Sequence, residues 1–527
     1  MTATSAPPRL PKEPRREGFG PVLRAEWTKF RTVRGWVIGL MVAAVLCVAF
    51  TFLTANGSHE GSCTGPSPSQ ATCQAGHPFV PTGPDGEAVA DSYYFVDQSL
   101  TGNGTITAQV TSLTGVTSTQ PVNVAPSLAD THLGLATWAK AGILLTPSTK
   151  QGSAYAAVMA TGSHGVRWQY DYTHDSGGLP GSTSVASPRW LRLTRSGDTV
   201  IGYDSTDGTN WTEIGTTHLT ELPSTVAVGL FVTSPVSFQG SNGSATRATA
   251  TFDQVSIRSA GASKTWHGLS IGTDPQDFYP TLGSGSYQRS GGAFVVSGSG
   301  DIAPGVGEGL LGADTAGSTL LLGLIVGLIV MIVVATMFIT TEYRRGLIRT
   351  TFAATPNRRR VLAAKAIVIG AVAFVTAALS AAVAVPLGEH KLNANGNYVF
   401  PVSTFTELRI IAGSAALVAV TSVAVLALGT IMRKSAGAVT GGIVIFVLPY
   451  IIGSAISGSA EQWLFRLTPA AGFAVLGVLP RSPQVSYPYT LGNGYYPLGP
   501  WAGLAVICVY AALALSVAGF LVRRRDA

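Results

Sequence analysis

Charged residues are scarce in this chain and almost absent from its long apolar runs. Only 12% of the 527 residues are Asp, Glu, Lys or Arg, and Lys365, just inside the third run, is the single charged residue or histidine in those runs. A helix needs about 20 apolar residues to cross a bilayer, so only the fifth run is marginal in length. The pattern predicts a polytopic α-helical membrane protein with six spans, at 35–55, 317–340, 363–387, 410–432, 437–455 and 501–522.

This scarcity bears on how transport could be driven. Proton- and ion-coupled transporters need carboxylates or histidines deep in the membrane to carry the coupling charge. The six runs contain no Asp, Glu or His, which disfavours secondary transport. A path lined by Leu, Val, Ala and Gly suits an amphiphilic or lipid-like cargo.

Acidic residues are few in the short segments that flank the runs. If residues 1–34 are cytoplasmic, the cytoplasmic segments and Lys365 hold 20 of the 34 Lys and Arg but only five of the 27 acidic residues. Positive charge in short loops stays inside, whereas large domains are translocated largely regardless of charge. We therefore expect both termini in the cytoplasm and residues 56–316 outside. The basic residues face lipid headgroups, so no nucleic-acid partner is expected.

Only four cysteines occur, and they fall into two pairs. Cys47 and Cys508 lie within predicted spans, where cysteine packs as a small hydrophobe. Cys63 and Cys73 lie in a Ser-, Pro- and Gly-rich segment that is expected outside the cell. An even pair in an oxidising compartment favours a disulfide over a metal site, and no metal site is predicted.

A Walker-A phosphate loop, G-x-x-x-x-G-K-[ST], is absent from the sequence. The nearest fragment, Gly261–Thr265, lacks the second glycine and lies in the segment expected outside the cell. The chain cannot hold ATP by that device. We therefore expect no enzyme activity and no bound cofactor in this chain.

The chain divides into six segments by composition. A basic stretch with Leu23, Trp27 and Phe30 at i, i+4 and i+7, and Lys29 elsewhere on the wheel, predicts an amphipathic helix in the membrane interface; the alternative is the start of a longer first span. The predicted segments are the tail and interfacial helix (1–34), the first span (35–55), a linker with the cysteine pair (56–90), a β-sandwich (91–258), a Gly/Ser-rich stalk (259–316) and a five-span body (317–527).

Repeated strand signals between residues 91 and 258 predict the all-β sandwich. Apolar and polar residues alternate in Trp190–Thr194, and Gly197 and Gly208 lie in turn sequences. Many short strands with turns every 8–12 residues are typical of sandwiches and barrels. Four tryptophans could stack on sugar rings, although aromatics at strand spacing more often form the core: Trp138, Trp168, Trp190 and Trp211. Acidic residues near turns give no sign of a catalytic pair.

Small-residue spacings in two spans allow close helix contacts. Gly323 and Gly327 form one such pair, and Gly437 and Gly441 form another. Glycines four residues apart let two helix backbones approach closely. In spans rich in Ala and Gly the same spacing also arises by chance, so both interpretations stay open.

Two stretches together carry a family resemblance. The sequences LRAEWTKFRTVRGW (Leu23–Trp36) and ITTEYRRGLIRTTFAATPNRRRVLAAKA (Ile339–Ala366) resemble the interfacial helix and the intracellular segment of type-2 ATP-binding-cassette permease subunits, especially those of actinomycetes. The resemblance covers about residues 1–55 and 317–527. It implies an exporter in the plasma membrane, a separate ATPase subunit that binds ATP and Mg²⁺, and a second permease chain.

That resemblance also implies a docking loop for the ATPase. Its residues are Glu342, Tyr343, Arg344, Arg345 and Arg349, whose guanidinium groups offer donors to a partner. The alternative is a basic loop that only fixes topology.

The large insert departs from the permease pattern, because that family usually has a short outer loop there. The stretches Trp138–Leu145, Arg189–Trp211 and Val226–Ser234 are similar to concanavalin-A-like jelly-roll domains. Such a domain implies an outer receptor or gate, with an extracellular glycan as a candidate ligand. Since the fold serves many functions, a second interpretation is a membrane anchor that carries a wall- or glycan-binding module without transporting anything.

Overall fold

The structure is a computed structural model of the 527-residue chain. It combines a β-rich domain with a bundle of long apolar helices, and the β-rich domain lies between the second and third helices in chain order. It describes residues 18–58, 61–64, 72–75, 81–120, 127–239, 242–262, 265–272, 282–305, 313–314, 316–354, 357–456, 459–479, 481–486, 489, 491 and 494–525.

Among these residues, six helical segments are long and apolar enough to cross a membrane. They are α2, α3, α5, α6, the consecutive pair α7–α8, and α10. The helices are α1 (Phe19–Thr32), α2 (Arg34–Gly57), α3 (Ala316–Arg344), α4 (Leu347–Ala354), α5 (Arg358–Ala394), α6 (Thr404–Met432), α7 (Ser435–Phe446), α8 (Leu448–Ala455), α9 (Ser459–Leu467) and α10 (Pro500–Arg525), with a 3₁₀-helix at Pro469–Leu476.

Local sequence explains where several helices begin and end. Val33 adopts extended backbone angles (φ −87°, ψ 101°), which separates α1 from α2. The basic stretch is therefore a helix of its own and not the start of a longer first span. The side chains of Asn357 and Ser403 accept hydrogen bonds from backbone N–H groups at the starts of α5 and α6, as N-caps do. Arg433 ends α6 in a left-handed conformation (φ 58°).

The β-rich domain is built around one very long strand. In chain order the strands are β1 (Gly61–Thr64), β2 (Thr72–Ala75), β3 (Val89–Asp91), β4 (Tyr93–Ser118), β5 (Thr131–Leu133), β6 (Lys140–Thr146), β7 (Ala156–Thr161), β8 (Val166–Tyr170), β9 (His174–Gly177), β10 (Arg189–Ser196), β11 (Thr199–Ser205), β12 (Thr212–His218), β13 (Thr225–Thr233), β14 (Ser237–Gln239), β15 (Asn242–Ser244), β16 (Thr246–Ala262), β17 (His267–Ile271), β18 (Ser286–Ser290), β19 (Ala293–Gly298), β20 (Ile302–Pro304), β21 (Ala313–Asp314) and β22 (Tyr398–Val399).

Strand β4 organises the main sheet. The strands run in the order β12-β11-β10-β4-β13-β6-β7-β8-β9, and β5, β16 and β17 also pair with β4. Burial alternates along β10, where Leu191 and Leu193 are buried while Arg192 and Thr194 are partly exposed. The alternation read from Trp190–Thr194 therefore matches the structure. Full burial of each such leucine contributes about 1.5–3 kcal/mol to folding.

The stretch 259–316 differs from the stalk that its composition predicts. Strand β16 runs on to Ala262 along β4, β17 pairs with the start of β4, and β20 pairs with β3. The β-rich domain therefore extends well beyond residue 258. Glycine and serine are compatible with a strand when a long neighbour supplies hydrogen bonds along its whole length, and this neighbour is distant in sequence.

Glycine allows close packing between α2 and α3. A Cβ atom on Gly323 would lie 2.2 Å from the carbonyl oxygen of Cys47, and one on Gly327 would lie 3.4 Å from that of Ala43. The first glycine pair thus marks a true helix contact. The second pair does not: Gly437 and Gly441 face only the side chain of Met432, which lies just before α7 in the chain.

The apolar stretch before α10 is too short to span a bilayer and forms the 3₁₀-helix. Every residue of Pro469–Leu476 is buried, mainly against α10 and α6. Non-helical backbone is tolerated at membrane depth where protein covers it.

The β-rich domain contacts the helical part at loops remote from α1. The Tyr398 hydroxyl donates to the carbonyl oxygen of Gly86 over 2.5 Å. The Gln484 side-chain amide donates to the carbonyl oxygen of Tyr172 over 3.1 Å. Strands β21 and β22 pair in parallel. These contacts, two of which involve Tyr398, connect the domain to the loops after α5 and before α10.

Candidate functional site

Four charged side chains meet where α1, the end of α3 and the start of α5 come together. We name Glu26, Lys29, Glu342 and Lys365 the charge cluster. The Lys365 Nζ lies 2.6 Å from Glu26 Oε2 and 2.7 Å from Glu342 Oε1. The Lys29 Nζ lies 2.8 Å from Glu26 Oε1 and 3.4 Å from Glu342 Oε1. Each lysine thus bridges both carboxylates.

The charge cluster is electrically balanced and mostly buried. Side-chain exposure is 0% for Lys365, 2% for Glu26 and 7% for Glu342, whereas Lys29 is 39% exposed. Removing an ion from water costs several kcal/mol, and only close partners offset that cost. The ammonium of Lys365 also lies 4.6 Å from the centre of the Phe338 ring, a cation–π contact. Lys365 is therefore held from several sides at once.

Lys29 lies outside the apolar runs, at the rim of the cluster. Burial lowers its pKa, but the hydrogen bond to Glu26 and the charges of Glu342 and Glu26 outweigh that effect and raise the pKa above its usual value. Lys29 therefore stays protonated at neutral pH.

Helical spacing brings the cluster together. Val22, Glu26 and Phe30 recur every four residues on α1 and are its buried residues, so one face of this helix packs on the bundle. An aromatic group supports this face: the ring centres of Phe30 and Phe338 are 5.3 Å apart, and that of Trp36 lies 5.7 Å and 5.1 Å from them. Aromatic packing thus joins the C-terminal part of α1 to α3.

The predicted interfacial residues divide between two faces of α1. Phe30 is buried and Leu23 half-buried against the bundle, while Trp27 is 45% exposed. Leu23 and Phe30 of the predicted apolar face therefore pack on the bundle, and Trp27 does not. The packed face also includes Glu26, whose carboxylate Lys365 neutralises. The position of α1 in the membrane interface stays a prediction.

The residues of the predicted docking loop also differ in exposure. Glu342 is buried in the charge cluster, and Tyr343 is half-buried with the Arg433 guanidinium 5.2 Å from its ring centre. Arg344 and Arg345 are exposed at the end of α3, and Arg349 lies on α4. Of the first four, only the two arginines present their charges to solvent.

Glu26 and Lys365 were not predicted as site residues. Glu26 is the only acidic residue of α1, and Lys365 is the only charge within an apolar run. These two exceptions to the local pattern were the only sign in the sequence that Glu26 and Lys365 belong to a site. Nothing local shows that residues 339 positions apart are partners.

In the β-rich domain, two of the four tryptophans are buried. Trp168 is 1% exposed within the main core, and Trp138 is 5% exposed and stacked on His164 at 3.8 Å. Neither offers an open ring face to a sugar, so both follow the core interpretation. Trp190 and Trp211 are half-buried, and the Arg192 guanidinium lies 3.7 Å from the Trp211 ring centre.

The cysteine pair lies on a hairpin. Strands β1 and β2 are antiparallel, and their register places Cys63 opposite Cys73. Directly opposed residues in antiparallel strands have Cα atoms about 4.5–5.5 Å apart, within the range of a disulfide. The backbone is thus compatible with the predicted disulfide. Within the described part of the chain, no cluster of three or more His, Cys, Asp or Glu could hold a metal ion.

Comparison with known proteins identifies no family. No family model matches the chain, and no curated protein matches it. Among solved structures, scytalido-glutamic peptidase with a transition-state analogue inhibitor aligns at a TM-score of 0.25 and 10% identity, over 39% of this chain and 98% of that one. A functionally unknown protein from Saccharomyces cerevisiae aligns at 0.22 and 14%, over 39% and 98%. At these TM-scores the likenesses carry no argument about fold or activity.

Proposed function

We propose that this chain is the membrane-spanning permease subunit of an ATP-driven exporter of the type-2 ATP-binding-cassette class. The observation that carries the proposal is the charge cluster. Glu26 and Lys29 come from one of the two stretches that resemble such permeases, and Glu342 and Lys365 come from the other. Two motifs that are remote in sequence thus build one joint.

In this proposal the six apolar helical segments cross the plasma membrane, with both termini in the cytoplasm. Basic residues in the short connections support this orientation. The β-rich domain then lies outside the cell on the loops after α5 and before α10, where it serves as a receptor or gate. In this orientation the charge cluster would lie at the cytoplasmic ends of the first three spans.

The ATPase subunit docks on α4 and the exposed arginines before it. Arg344 and Arg345 are exposed donors next to this short helix, and guanidinium groups bind carboxylates and backbone carbonyls in defined geometry. ATP and Mg²⁺ bind to that partner. A second permease chain, identical or paralogous, completes the transporter.

The charge cluster explains how movement of α4 reaches the spans. Glu342 lies three residues after Ile339 and only five before Leu347, the first residue of α4. Its carboxylate is held by Lys365 of α5 and Lys29 of α1. Since separating buried partners costs several kcal/mol, displacement of α4 moves these three helices together.

The cargo that the spans pass is amphiphilic.

Co-purification tests the docking. The chain is expressed together with any ATP-binding-cassette subunit that a neighbouring reading frame encodes, and the permease is pulled down. We expect the triple variant Arg344→Glu, Arg345→Glu, Arg349→Glu to lose at least tenfold of the recovered ATPase. The control variant Arg31→Glu, Arg523→Glu, Arg524→Glu makes the same charge change at residues exposed on the same proposed side and should keep it.

Two results would contradict the proposal. Equal recovery with both triple variants would remove the docking role of the loop. Absence of any co-purifying ATPase from the unaltered chain would favour the membrane anchor for a glycan-binding module instead.

A further inference from the structure

A cavity next to the charge cluster has the chemistry of an amphiphile site. It lies between the start of α2 and the second half of α3, and its volume is about 560 Å³. Small-molecule sites typically measure about 300–1,000 Å³. Neither the predicted docking role nor the transport path assigns a function to it.

One end of the cavity is apolar. Trp36 and Val33 line it from α2 and the residue before it, and Val330, Val333 and Met337 line it from α3. Val33 and Met337 are 41% and 43% exposed. A hydrocarbon chain would cover these side chains.

The other end is polar and carries positive charge. Lys29, Arg345 and the hydroxyl groups of Thr341, Thr350 and Thr351 line it. Arg345 is exposed and forms no ion pair with any residue that the structure describes. This guanidinium is suited to a phosphate, whereas the Lys29 ammonium already donates to Glu26, Glu342 and Thr351.

An unpaired acceptor lies at the same end. Glu342 lines the cavity, and its Oε1 is bound by Lys365. Its Oε2 is buried and has no hydrogen-bond partner within the described part of the chain. Since buried acceptors are normally satisfied, this oxygen calls for a donor such as a hydroxyl group.

The length of the cavity matches one leaflet of a bilayer. Val330 and Thr341 are eleven residues apart on α3, which is about 16 Å along a helix axis. Half of a hydrocarbon core of about 30 Å is about 15 Å. The polar end coincides with the end of the apolar run, where headgroups of that leaflet lie.

We propose that this cavity binds one anionic phospholipid with a hydroxylated headgroup, of the phosphatidylglycerol type. Arg345 binds the phosphate, a headgroup hydroxyl donates to Glu342 Oε2, and one acyl chain lies along Val330, Val333 and Met337. The inference rests on the membrane embedding of the proposed function but not on the ATPase. The lipid contacts α1, α3 and α4 at once and so stabilises the joint that the charge cluster forms.

Lipid retention by the purified full-length chain tests the site. The chain is delipidated in detergent and titrated separately with phosphatidylglycerol and phosphatidylcholine of the same acyl chains, and bound lipid is counted by native mass spectrometry. We expect at least tenfold tighter binding of the first lipid. Arg345→Glu should abolish that preference, whereas Arg344→Glu, the same change one residue away and outside the cavity, should keep it.

The apolar end has its own pair of variants. Met337→Trp narrows the cavity and should weaken phosphatidylglycerol binding at least tenfold. Met41→Trp places the same ring on an exposed apolar position of α2 outside the cavity and should leave binding unchanged. If both variants elute from a sizing column at the same volume as the unaltered chain, they are folded.

Three outcomes would overturn the inference. Equal binding of the two lipids would remove the headgroup contacts. If Arg344→Glu and Arg345→Glu reduce the preference for phosphatidylglycerol equally, that preference comes from the general surface charge and not from the cavity. Displacement of the lipid by soluble glycerol phosphate at equal concentration would show that the acyl chain contributes nothing. Since the ATPase is absent from the assay, failure of its docking leaves all three outcomes readable.

Discussion

Single residues carry the strongest constraints in this molecule, and Lys365 is the most constrained. Its ammonium is completely buried and bridges two carboxylates that come from other helices. Lys365→Met leaves Glu26 and Glu342 facing each other without it. Removing one partner of a buried ion pair costs about 3–5 kcal/mol, so we expect a marked fall in the thermal unfolding temperature in detergent. Lys391→Met, at the far end of the same helix, is the control.

Neutralising Glu26 and Glu342 tests whether their unbalanced charge causes the loss of stability in Lys365→Met. Because well-packed neutral residues can replace a buried ion pair at little cost, Lys365→Met combined with Glu26→Gln and Glu342→Gln should recover much of the lost stability. If the triple variant unfolds at no higher a temperature than Lys365→Met, then packing and not the balance of charge holds this joint.

A second residue-scale prediction concerns pH. Burial raises the pKa of Asp97 on β4, although the charge of His267 lowers it in part, and Asp97 Oδ1 has no hydrogen-bond partner among the described residues. The folded state therefore holds this proton more tightly than the unfolded state. The contribution of Asp97 to the stability of the folded chain therefore falls as pH rises from its ordinary pKa through the raised one, and is level above it.

Asp97→Asn removes that dependence. Its unfolding temperature, measured relative to the unaltered chain, should be higher at pH 7 than at pH 4. The same difference at both pH values, or a larger advantage at pH 4, would contradict the raised pKa.

At the scale of helices and strands, local pattern predicted much of what the structure has. Apolar runs predicted six helices because a helix satisfies its own backbone, and the alternation at Trp190–Thr194 predicted a strand that packs one face. Strand β17 and the end of β16 were not predicted because their hydrogen-bond partners lie on β4, more than 150 residues earlier. A strand at Ala293–Ser297, by contrast, is indicated by local pattern and lies in β19. The contact of Glu26 with Lys365 could not be predicted for the same reason as β17, since the two residues lie 339 positions apart.

At the scale of the whole molecule, two joints connect elements that are remote in sequence. One is the charge cluster of α1, α3 and α5. The other holds the β-rich domain through Tyr398 and Gln484. In an exporter these joints would lie on opposite faces of the membrane, so a movement driven by the ATPase could reach the outer domain through α5, which connects them. Sequence patterns could not predict either joint, because both depend on tertiary contacts.

We expect both ends of the chain to share one side of a membrane and the β-rich domain to lie on the other. Single cysteines at Thr206, Arg31 and Arg523, all exposed, report on these three regions. Intact cells are labelled with a maleimide that cannot cross the membrane and compared with the unsubstituted chain. We expect labelling at position 206 only in intact cells, and labelling at positions 31 and 523 after lysis. Labelling of either end in intact cells, with position 206 protected, would contradict it.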